Sequence, residues 1–295
     1  MDVEPPPHGM SPSSAMEFGY GIFSARYGNI YTARELRQLF EEACGRFSPA
    51  DVIWKKNDRY YDALRPSIEP FGLASRQAVV DMRAYHLRKV LSVLRTADIF
   101  IFTLGLTEAW VHGPSGTVYP TAPGTIAGAY DAAVHKFHNF DFEEVYGDLV
   151  SFFDLAREHN PEMRFLLTVS PVPLTATASG EHVLHATMYS KSVLRAVAGR
   201  LHQQYPYVDY FPSYEIITSA LSRACFFEDN LRSVRAAGVA AVMDTFFGEH
   251  AAATPDPDAA PGTENHECMA ASEKEAKADE DVVCEEALLE AFSPR

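Results

Sequence analysis

Stretches of the chain in which apolar residues recur at helical spacing alternate with short, unbroken apolar runs. Two of the helical stretches open with a capping box, in which Thr or Asp precedes Glu by three positions. The unbroken runs are typical of parallel strands that are covered on both faces of a sheet. Five helices are predicted: one that follows Thr32, one over 76–95, one from Asp141 to Asn160, one that begins at Ser190 and one over 234–247. The predicted strands are 98–104, 164–169 and 208–211.

This order of helices and strands predicts the fold class. Helix and strand signals that follow one another along the chain are the pattern of an α/β protein with a parallel sheet and helices on both faces. Ligands of such sheets bind just beyond the carboxyl ends of the strands. We therefore expect the site where three polar, turn-forming segments lie at one edge, namely 105–108, 170–173 and 212–215.

The two ends of the chain differ in composition from its middle. Of the 295 residues, 47% are hydrophobic, which is enough for one sizeable core. Residues 1–16 contain three consecutive prolines, and we predict a loose N-terminal segment there. Residues 251–295 hold 12 acidic and 3 basic residues and begin with a Pro-, Ala- and Asp-rich stretch, which predicts an acidic, largely disordered tail. The predicted domain therefore spans 17–250.

Charge and cysteine content limit the classes of partner and compartment. The formal net charge is −15, and most of it belongs to the tail, so we expect no nucleic-acid partner. No run of about 20 apolar residues is present, so we expect no membrane span. The N-terminus has no apolar signal region, and the four cysteines are scattered without a CxxC. A reducing cytosol is the simplest location.

Common catalytic and cofactor motifs are missing from the sequence. It contains no GxSxG nucleophile elbow and no GxxxxGK[ST] phosphate loop. Two HxxH pairs, His135 with His138 and His182 with His185, have a spacing that metal sites use on helices, but no carboxylate or cysteine cluster accompanies them. The sequence therefore predicts neither a metal nor a cofactor.

Two polar segments carry candidate chemistry. Gly28 and Asn29 offer a backbone N–H and a side-chain amide, which are the donor types of an oxyanion hole, although Gly-Asn also favours a simple turn. Thr107 and Glu108 follow a predicted buried strand, and a carboxylate near Trp110 at a strand end is well placed for a shifted pKa. The alternative role for Glu108 is to cap a neighbouring backbone.

The same segments resemble bacterial proteins that contain the GSCFA domain. The resemblance extends from about residue 18 to 247 and consists of several long stretches in one order. Matches of this kind are far more specific than a single short motif. The stretches are RYGNIYTA (26–33), FTLGLTEAW (102–110), PTAPGTIAG (120–128), LTVSPVPLTAT (167–177), SKSVLRAV (190–197), YFPSYEII (210–217) and NLRSVRAAGVAAVM (230–243).

GSCFA proteins are similar to the SGNH hydrolases, and this similarity implies a fold and a chemistry. The implied fold is a flavodoxin-like three-layer sandwich, and the implied chemistry is ester hydrolysis or acyl transfer by a serine nucleophile. A Gly N–H and an Asn side chain complete the oxyanion hole in SGNH enzymes, which here implies Gly28 or Asn29. Gly105, Thr107 and Glu108 represent the next SGNH block, with Thr-Glu where an SGNH enzyme has Asn-Asp.

Two departures from the family pattern concern the catalytic residues. The pentapeptide Gly-Ser-Cys-Phe-Ala, to which the family's nucleophile is ascribed, occurs nowhere in the chain. Asp229 lies in the late block, but Arg232 stands three positions later, where SGNH enzymes have a histidine. The best candidate for the base is His182, for which a structural role in its loop is an equal alternative. Ser170 and Ser213 each adjoin a proline and have no histidine partner nearby, so we expect both to be structural.

The missing pentapeptide also predicts an incomplete sheet. The nucleophile's strand and its neighbour would precede residue 18, which leaves the strand at 98–104 without its inner neighbour. We therefore expect an N-terminally shortened GSCFA protein, produced by a start codon assigned too late or by a truncated gene. The DNA upstream of Met1 distinguishes these origins, since an in-frame Gly-Ser-Cys-Phe-Ala supports the first and a nearby stop codon excludes it.

Two functions are compatible with these residues. The first is an SGNH-like esterase or acyltransferase domain that acts on an acyl ester of a small molecule or carbohydrate and is catalytically incomplete in this chain. The second is a non-catalytic module on the same fold that binds a carbohydrate or a partner. Its candidate surface is the Gly- and Pro-rich loop 113–128 with Tyr119 and Trp110.

Overall fold

The structure is a computed structural model that describes residues 5–22 and 24–250. Within these residues, one parallel sheet and two small antiparallel sheets are surrounded by helices. The helices are α1 (Pro12–Glu17), α2 (Ala33–Ala43), α3 (Arg76–Thr96), α4 (Phe142–His159), α5 (Val183–Gln204), α6 (Ser213–Thr218) and α7 (Ala236–His250), with a short 3₁₀ helix at Ala220–Ser222. The strands are β1 (Ile53–Lys56), β2 (Arg59–Asp62), β3 (Ile99–Leu104), β4 (Glu108–His112), β5 (Val118–Tyr119), β6 (His135–Asn139), β7 (Arg164–Val169) and β8 (Val208–Tyr210).

The parallel sheet has the strand order β3-β7-β8, with α4 and α5 as its crossover connections. Phe100 of β3 pairs with Phe165 of β7. Both rings join Phe40 of α2 and Phe152 of α4 in an aromatic cluster with centroid separations of 4.9–6.5 Å. Aromatic side chains bury large apolar areas, so this cluster fixes the two helices on the sheet. The predicted α/β class with a parallel sheet is confirmed.

The prediction that β3 is buried on both faces is wrong. Phe100, Phe102 and Leu104 are buried, whereas Ile99 and Ile101 are 57% and 56% exposed. β3 is the end strand of the sheet in the described part of the chain, and the face that carries the two isoleucines is open there. An unbroken apolar run predicts burial only where neighbours exist on both faces, as they do for β7, whose residues 165–169 are all buried.

The hydrophobic pattern does not predict the two antiparallel sheets. One is the pair β1-β2, and the other has the order β5-β4-β6. Their strands are two to five residues long and rich in polar side chains, so they show no clear alternation. Trp54, Tyr61 and Tyr119 of these sheets form a second small core, in which the Trp54 and Tyr119 rings lie 5.4 Å apart.

The predicted helix starts at Thr32 and Asp141 are confirmed. Each side chain accepts a hydrogen bond from the N–H of the Glu three residues later, and each Glu accepts one in return from the N-cap backbone. Helix α5 begins at Val183 rather than at the predicted Ser190, because the His182 side chain accepts a hydrogen bond from a backbone N–H two residues later and so caps the helix. Ser190 lies inside the helix.

The structure describes only part of the three predicted regions, which are the N-terminal segment, the domain and the tail. Helix α1 falls at the end of the segment 1–16, with Ser11 as its N-cap. The predicted acidic tail, 251–295, lies outside the described residues. In the part of the chain that is described, no helix combines the length and the apolar character needed to cross a membrane.

Candidate functional site

Helix α5 holds the segment that follows β3 at the carboxyl edge of the sheet. The Thr107 N–H donates to the Ser190 hydroxyl at 3.1 Å, and the Lys191 ammonium donates to the Gly105 carbonyl at 2.8 Å. Thr107 is fully buried, and its hydroxyl donates to Oδ1 of Asn139 at 2.7 Å. The sequence predicted Ser190 only as a helix start and gave no role to Lys191, although both lie in a stretch shared with GSCFA proteins.

The segment that carries Gly28 and Asn29 lies against the same edge. The Leu106 N–H donates to the Tyr31 carbonyl at 2.8 Å, and a Cβ on Gly105 would lie only 3.1 Å from that oxygen. Nδ2 of Asn29 donates to the Tyr31 hydroxyl at 2.9 Å. The structure therefore brings together the two segments that the resemblance assigns to the substrate, and a glycine at 105 permits their close approach.

The turn at Gly28 is held by hydrogen bonds to its carbonyl groups. Arg26 and Gly28 both have left-handed backbones, with φ of 49° and 71°. Nη1 of Arg65 donates to the Arg26 carbonyl at 2.9 Å, and Nδ1 of His86 donates to the Ala25 carbonyl at 2.9 Å. Burial lowers the pKa of His86 well below its ordinary value, so the ring is neutral. These bonds stabilise a non-glycine residue in a conformation that otherwise costs energy.

A buried ionic cluster holds Arg65, the arginine that donates to the Arg26 carbonyl in this turn. Asp62 accepts from Nε of Arg65 at 3.1 Å and from Nη1 of Arg83 at 2.9 Å, and Arg83 also pairs with Glu42. Burial by itself would raise the pKa of Asp62, but the Arg83 and Arg65 guanidiniums outweigh burial and lower it. The ionised carboxylate therefore stays in the interior, and its partners hold the segment that precedes Asn29.

Glu35 is a second buried carboxyl group next to this segment. Its Oε2 accepts from the backbone N–H groups of Tyr31 and Thr32, both at 2.8 Å, whereas its Oε1 has no partner in the described part of the chain. Burial raises the pKa of Glu35 to about 7, although the hydrogen bonds from Thr32 and Tyr31 oppose this shift. From the sequence, Glu35 is recognisable only as part of a capping box.

Glu108 is half-buried at the end of the segment 105–108, where strand β4 begins. Its Oε1 accepts a hydrogen bond from the Thr177 hydroxyl at 2.7 Å. Burial raises the pKa of Glu108, and the bond from Thr177 opposes the rise. A carboxyl group with a raised pKa at the carboxyl edge of a parallel sheet is suited to proton transfer.

All of these segments lie inside one family match. A sequence model of the GSCFA family matches residues 13–246, which is most of the chain. The chain belongs to the GSCFA family. No curated protein and no solved structure matches it. The GSCFA match includes the stretch with Gly28 and Asn29, the segment 105–108, the buried ionic cluster and the part of α5 that contacts Gly105 and Thr107.

The two predicted catalytic residues of this GSCFA chain are not joined to each other in the described structure. The His182 ring is exposed at the start of α5, and its Nδ1 accepts from the Leu184 N–H at 3.2 Å. Asp229 is fully exposed in the turn before α7 and pairs with Arg235 at 3.1 Å. In the described structure, the loop that leads to His182 contacts the site through Thr177, whose hydroxyl donates to Glu108.

The serines at the strand ends form hydrogen bonds within their own strand ends and loops. The Ser213 hydroxyl is buried, shares a hydrogen bond with Thr168 and donates to the Val169 carbonyl at 3.1 Å. The Ser170 hydroxyl accepts from the Val172 N–H at 3.2 Å. Both hydroxyls are therefore engaged with their own strand ends and loops.

One of the two histidine pairs lies on a strand and not on a helix. His135 and His138 are on strand β6, where residues three positions apart point to opposite faces. His135 accepts from the Asp131 N–H at 3.0 Å, and His138 pairs with Glu144 at 2.9 Å. Within residues 5–22 and 24–250, no group of three or more His, Cys, Asp or Glu side chains has an arrangement that could hold a metal ion.

Proposed function

We propose that this GSCFA chain is an SGNH-like domain that binds an acyl ester for hydrolysis or acyl transfer, and that it is catalytically incomplete. The proposed fold is a flavodoxin-like three-layer sandwich, of which the sheet β3-β7-β8 forms a part. The ester would lie between the turn at Gly28-Asn29 and the segment 105–108. The four scattered cysteines favour the cytosol as its location.

The hydrogen bond from Leu106 to the Tyr31 carbonyl gives the proposal its main support, because it holds a turn with available donors at the carboxyl edge. Within the described residues the Gly28 N–H forms no hydrogen bond, and Asn29 uses one of its two amide protons on the Tyr31 hydroxyl. Preorganised N–H donors of this kind stabilise the oxyanion of acyl transfer. Glu108 would exchange protons with the substrate or with water.

The missing nucleophile determines the expected activity. The chain contains no Gly-Ser-Cys-Phe-Ala, and the hydroxyls of Ser190, Ser213 and Ser170 are engaged in the hydrogen bonds described above. A serine hydrolase without its nucleophile keeps only the residual rate that binding and the oxyanion hole provide. The chain should therefore bind esters and turn them over slowly.

Hydrolysis and binding of p-nitrophenyl acetate by the purified chain test this function. We expect saturable binding, turnover close to the uncatalysed rate, and weaker binding in Asn29→Ala. Gln77→Ala is the matched control, because it removes an exposed amide from α3. Rapid turnover would overturn the assignment of a missing nucleophile, and unchanged binding in Asn29→Ala would overturn the site.

A non-catalytic carbohydrate-binding role is the second candidate, and one aromatic pair supports it. The Trp110 ring lies 5.2 Å from the ring of Tyr130, which is 51% exposed. Tyr119 cannot belong to such a surface, contrary to the sequence-based expectation, because it is 1% exposed and its hydroxyl donates to the Ala50 carbonyl. The candidate sugar surface is therefore Trp110 with Tyr130, not with Tyr119.

Tryptophan fluorescence distinguishes the two functions. Trp54 is buried and Trp110 is not, so a change in emission that disappears in Trp110→Phe reports binding at this aromatic pair. Titration with acetylated and deacetylated xylan oligosaccharides is the measurement. Equal binding of both, without loss of acetate, favours the binding module, whereas preference for the acetylated form favours the ester-binding site.

A further inference from the structure

A groove on helix α5 adjoins the candidate site but takes no part in the function proposed above. Its volume is about 480 Å³, and it is bordered by α5 and by Tyr214 of α6. Small residues, among them Ala196 and Gly199, leave space between longer side chains. Three cationic residues line it, namely Lys191, Arg195 and Arg200, and none of its lining residues is acidic.

The guanidinium of Arg195 is held in position beside Gly199. A Cβ on Gly199 would lie 2.8 Å from Nη1 of Arg195, so the glycine provides the space that the guanidinium occupies. Nε of Arg195 donates to Glu215, and its guanidinium carbon lies 4.1 Å from the centre of the Tyr210 ring. Neither Nη atom forms a hydrogen bond within the described residues. A guanidinium fixed in this way is preorganised to bind a carboxylate or a phosphate.

The other two cations extend the positive charge along the helix. Arg200 is exposed and forms no ion pair with any described residue, and it lies about 7.5 Å further along the helix axis than Arg195. Lys191 is 2% exposed, and its ammonium donates to the Gly105 carbonyl. Glu215 pairs with Arg195, whereas Arg200 has no acidic partner among the described residues. The groove is therefore positively charged, and its end at Lys191 contacts the candidate site.

We propose that this groove binds an anionic group of the substrate, a carboxylate or a phosphate. The proposal rests on the function proposed above and narrows its substrate class to acyl esters that carry a negative charge. The anionic part of the molecule would lie along α5 at Arg195 and Arg200. The ester would lie beyond Gly105, at the carboxyl edge of the sheet.

Binding of three related sugars to the full chain tests the groove, with amide chemical shifts as the readout. Glucuronate supplies a carboxylate, glucose 6-phosphate a phosphate, and glucose no charge. We expect both anions to shift α5 amide signals, with affinities that fall as salt is added, and glucose to have no effect. The anion that binds more tightly shows whether the anionic group of the substrate is a carboxylate or a phosphate.

Variants locate the binding on α5. Arg200→Gln should weaken anion binding about tenfold, because it removes a charged donor. Gly199→Ala should weaken it by displacing Arg195, and alanine favours the helix, so the variant should fold. Arg88→Gln, the same change on an exposed arginine of α3, should have no effect. Equal binding of glucose, or wild-type anion affinity in both α5 variants, would overturn the proposal.

The ester experiment fails or succeeds independently of this one, because p-nitrophenyl acetate is neutral and needs no contact with the groove. Anion binding without ester binding supports the groove and overturns the ester site. Ester binding without anion binding supports the ester site and overturns the groove.

Discussion

The carboxylate of Glu35 accepts a hydrogen bond from the Tyr31 N–H at 2.8 Å. The carbonyl group of the same Tyr31 accepts a hydrogen bond from the Leu106 N–H at the carboxyl edge of the sheet. One buried carboxyl group at the start of α2 therefore holds the segment that links Asn29 to that edge. Because burial raises the pKa of Glu35 to about 7, the carboxyl group that makes this link gains or loses its proton near neutral pH.

Glu35→Gln should remove part of the pH dependence of stability. The folded protein keeps the Glu35 proton at pH values where the unfolded chain, with a pKa near 4.5, has lost it. The contribution of Glu35 to the free energy of unfolding therefore decreases as the pH rises from about 4.5 to 7. The total decrease is roughly 3 kcal/mol at most, and the contribution is constant at higher pH. Glutamine keeps the capping box and cannot ionise.

Urea unfolding between pH 5 and 9 measures this contribution as the difference between the wild-type protein and Glu35→Gln. Glu143→Gln, on the exposed face of α4, is the control and should follow the wild-type curve. Parallel curves for the wild-type protein and Glu35→Gln would show that Glu35 does not titrate in this range.

Asp62→Asn should be strongly destabilising. The change leaves the buried guanidiniums of Arg65 and Arg83 without their shared carboxylate, and breaking a buried ion pair on one side typically costs about 3–5 kcal/mol. Glu158→Gln breaks an exposed pair with Arg46 and should barely move the urea midpoint. Similar midpoints for the two variants would contradict the structural role of the buried cluster.

Gly105→Ala should weaken ester binding and lower the melting temperature. A Cβ at this position would lie 3.1 Å from the Tyr31 carbonyl oxygen, so the two segments of the site must separate. Gly147→Ala is a matched change inside α4, where a Cβ meets no atom within 4 Å. It should raise stability by up to about 1 kcal/mol. Thermal unfolding and p-nitrophenyl acetate binding of both variants provide the comparison.

Ile101→Lys should reduce self-association without unfolding the protein. Ile101 is 56% exposed on an end strand, where exposed apolar side chains promote edge-to-edge pairing and lysine discourages it. Phe102→Ala, one residue further along the same strand, removes a buried ring and should cost about 3–5 kcal/mol. Light scattering and urea unfolding separate the two effects. A comparable loss of stability in Ile101→Lys would show that its face of β3 is covered.

Features encoded by neighbouring residues were predictable from the sequence. The capping boxes at Thr32 and Asp141 and the buried strand 164–169 depend on local hydrogen bonds and on an unbroken apolar run. The start of α5 was missed because His182 is an uncommon N-cap. The open face of β3 was missed because burial depends on neighbouring elements, not on the strand's own sequence.

The site was predictable only where the family resemblance supplied it. The stretch that carries Gly28 and Asn29 reaches the segment 105–108 through the Tyr31 carbonyl, and the roles of Gly28 and Asn29 there stay predictions from the resemblance. The buried groups that hold them, including Asp62 and Lys191, have no distinguishing local pattern, since their roles depend on which distant parts of the chain come into contact. A charged side chain looks the same in a sequence whether it is solvated or buried.

Lys191 belongs to α5 through its backbone and to the end of β3 through its bond to the Gly105 carbonyl. A ligand that shifts α5 by a few tenths of an ångström must therefore also strain or relax the backbone at Gly105. If an anion on the helix changes the affinity for an ester by some factor, thermodynamic linkage requires the ester to change the affinity for the anion by the same factor. Through this bond and the bond from the Thr107 N–H to Ser190, the two proposed ligand sites would influence each other in both directions.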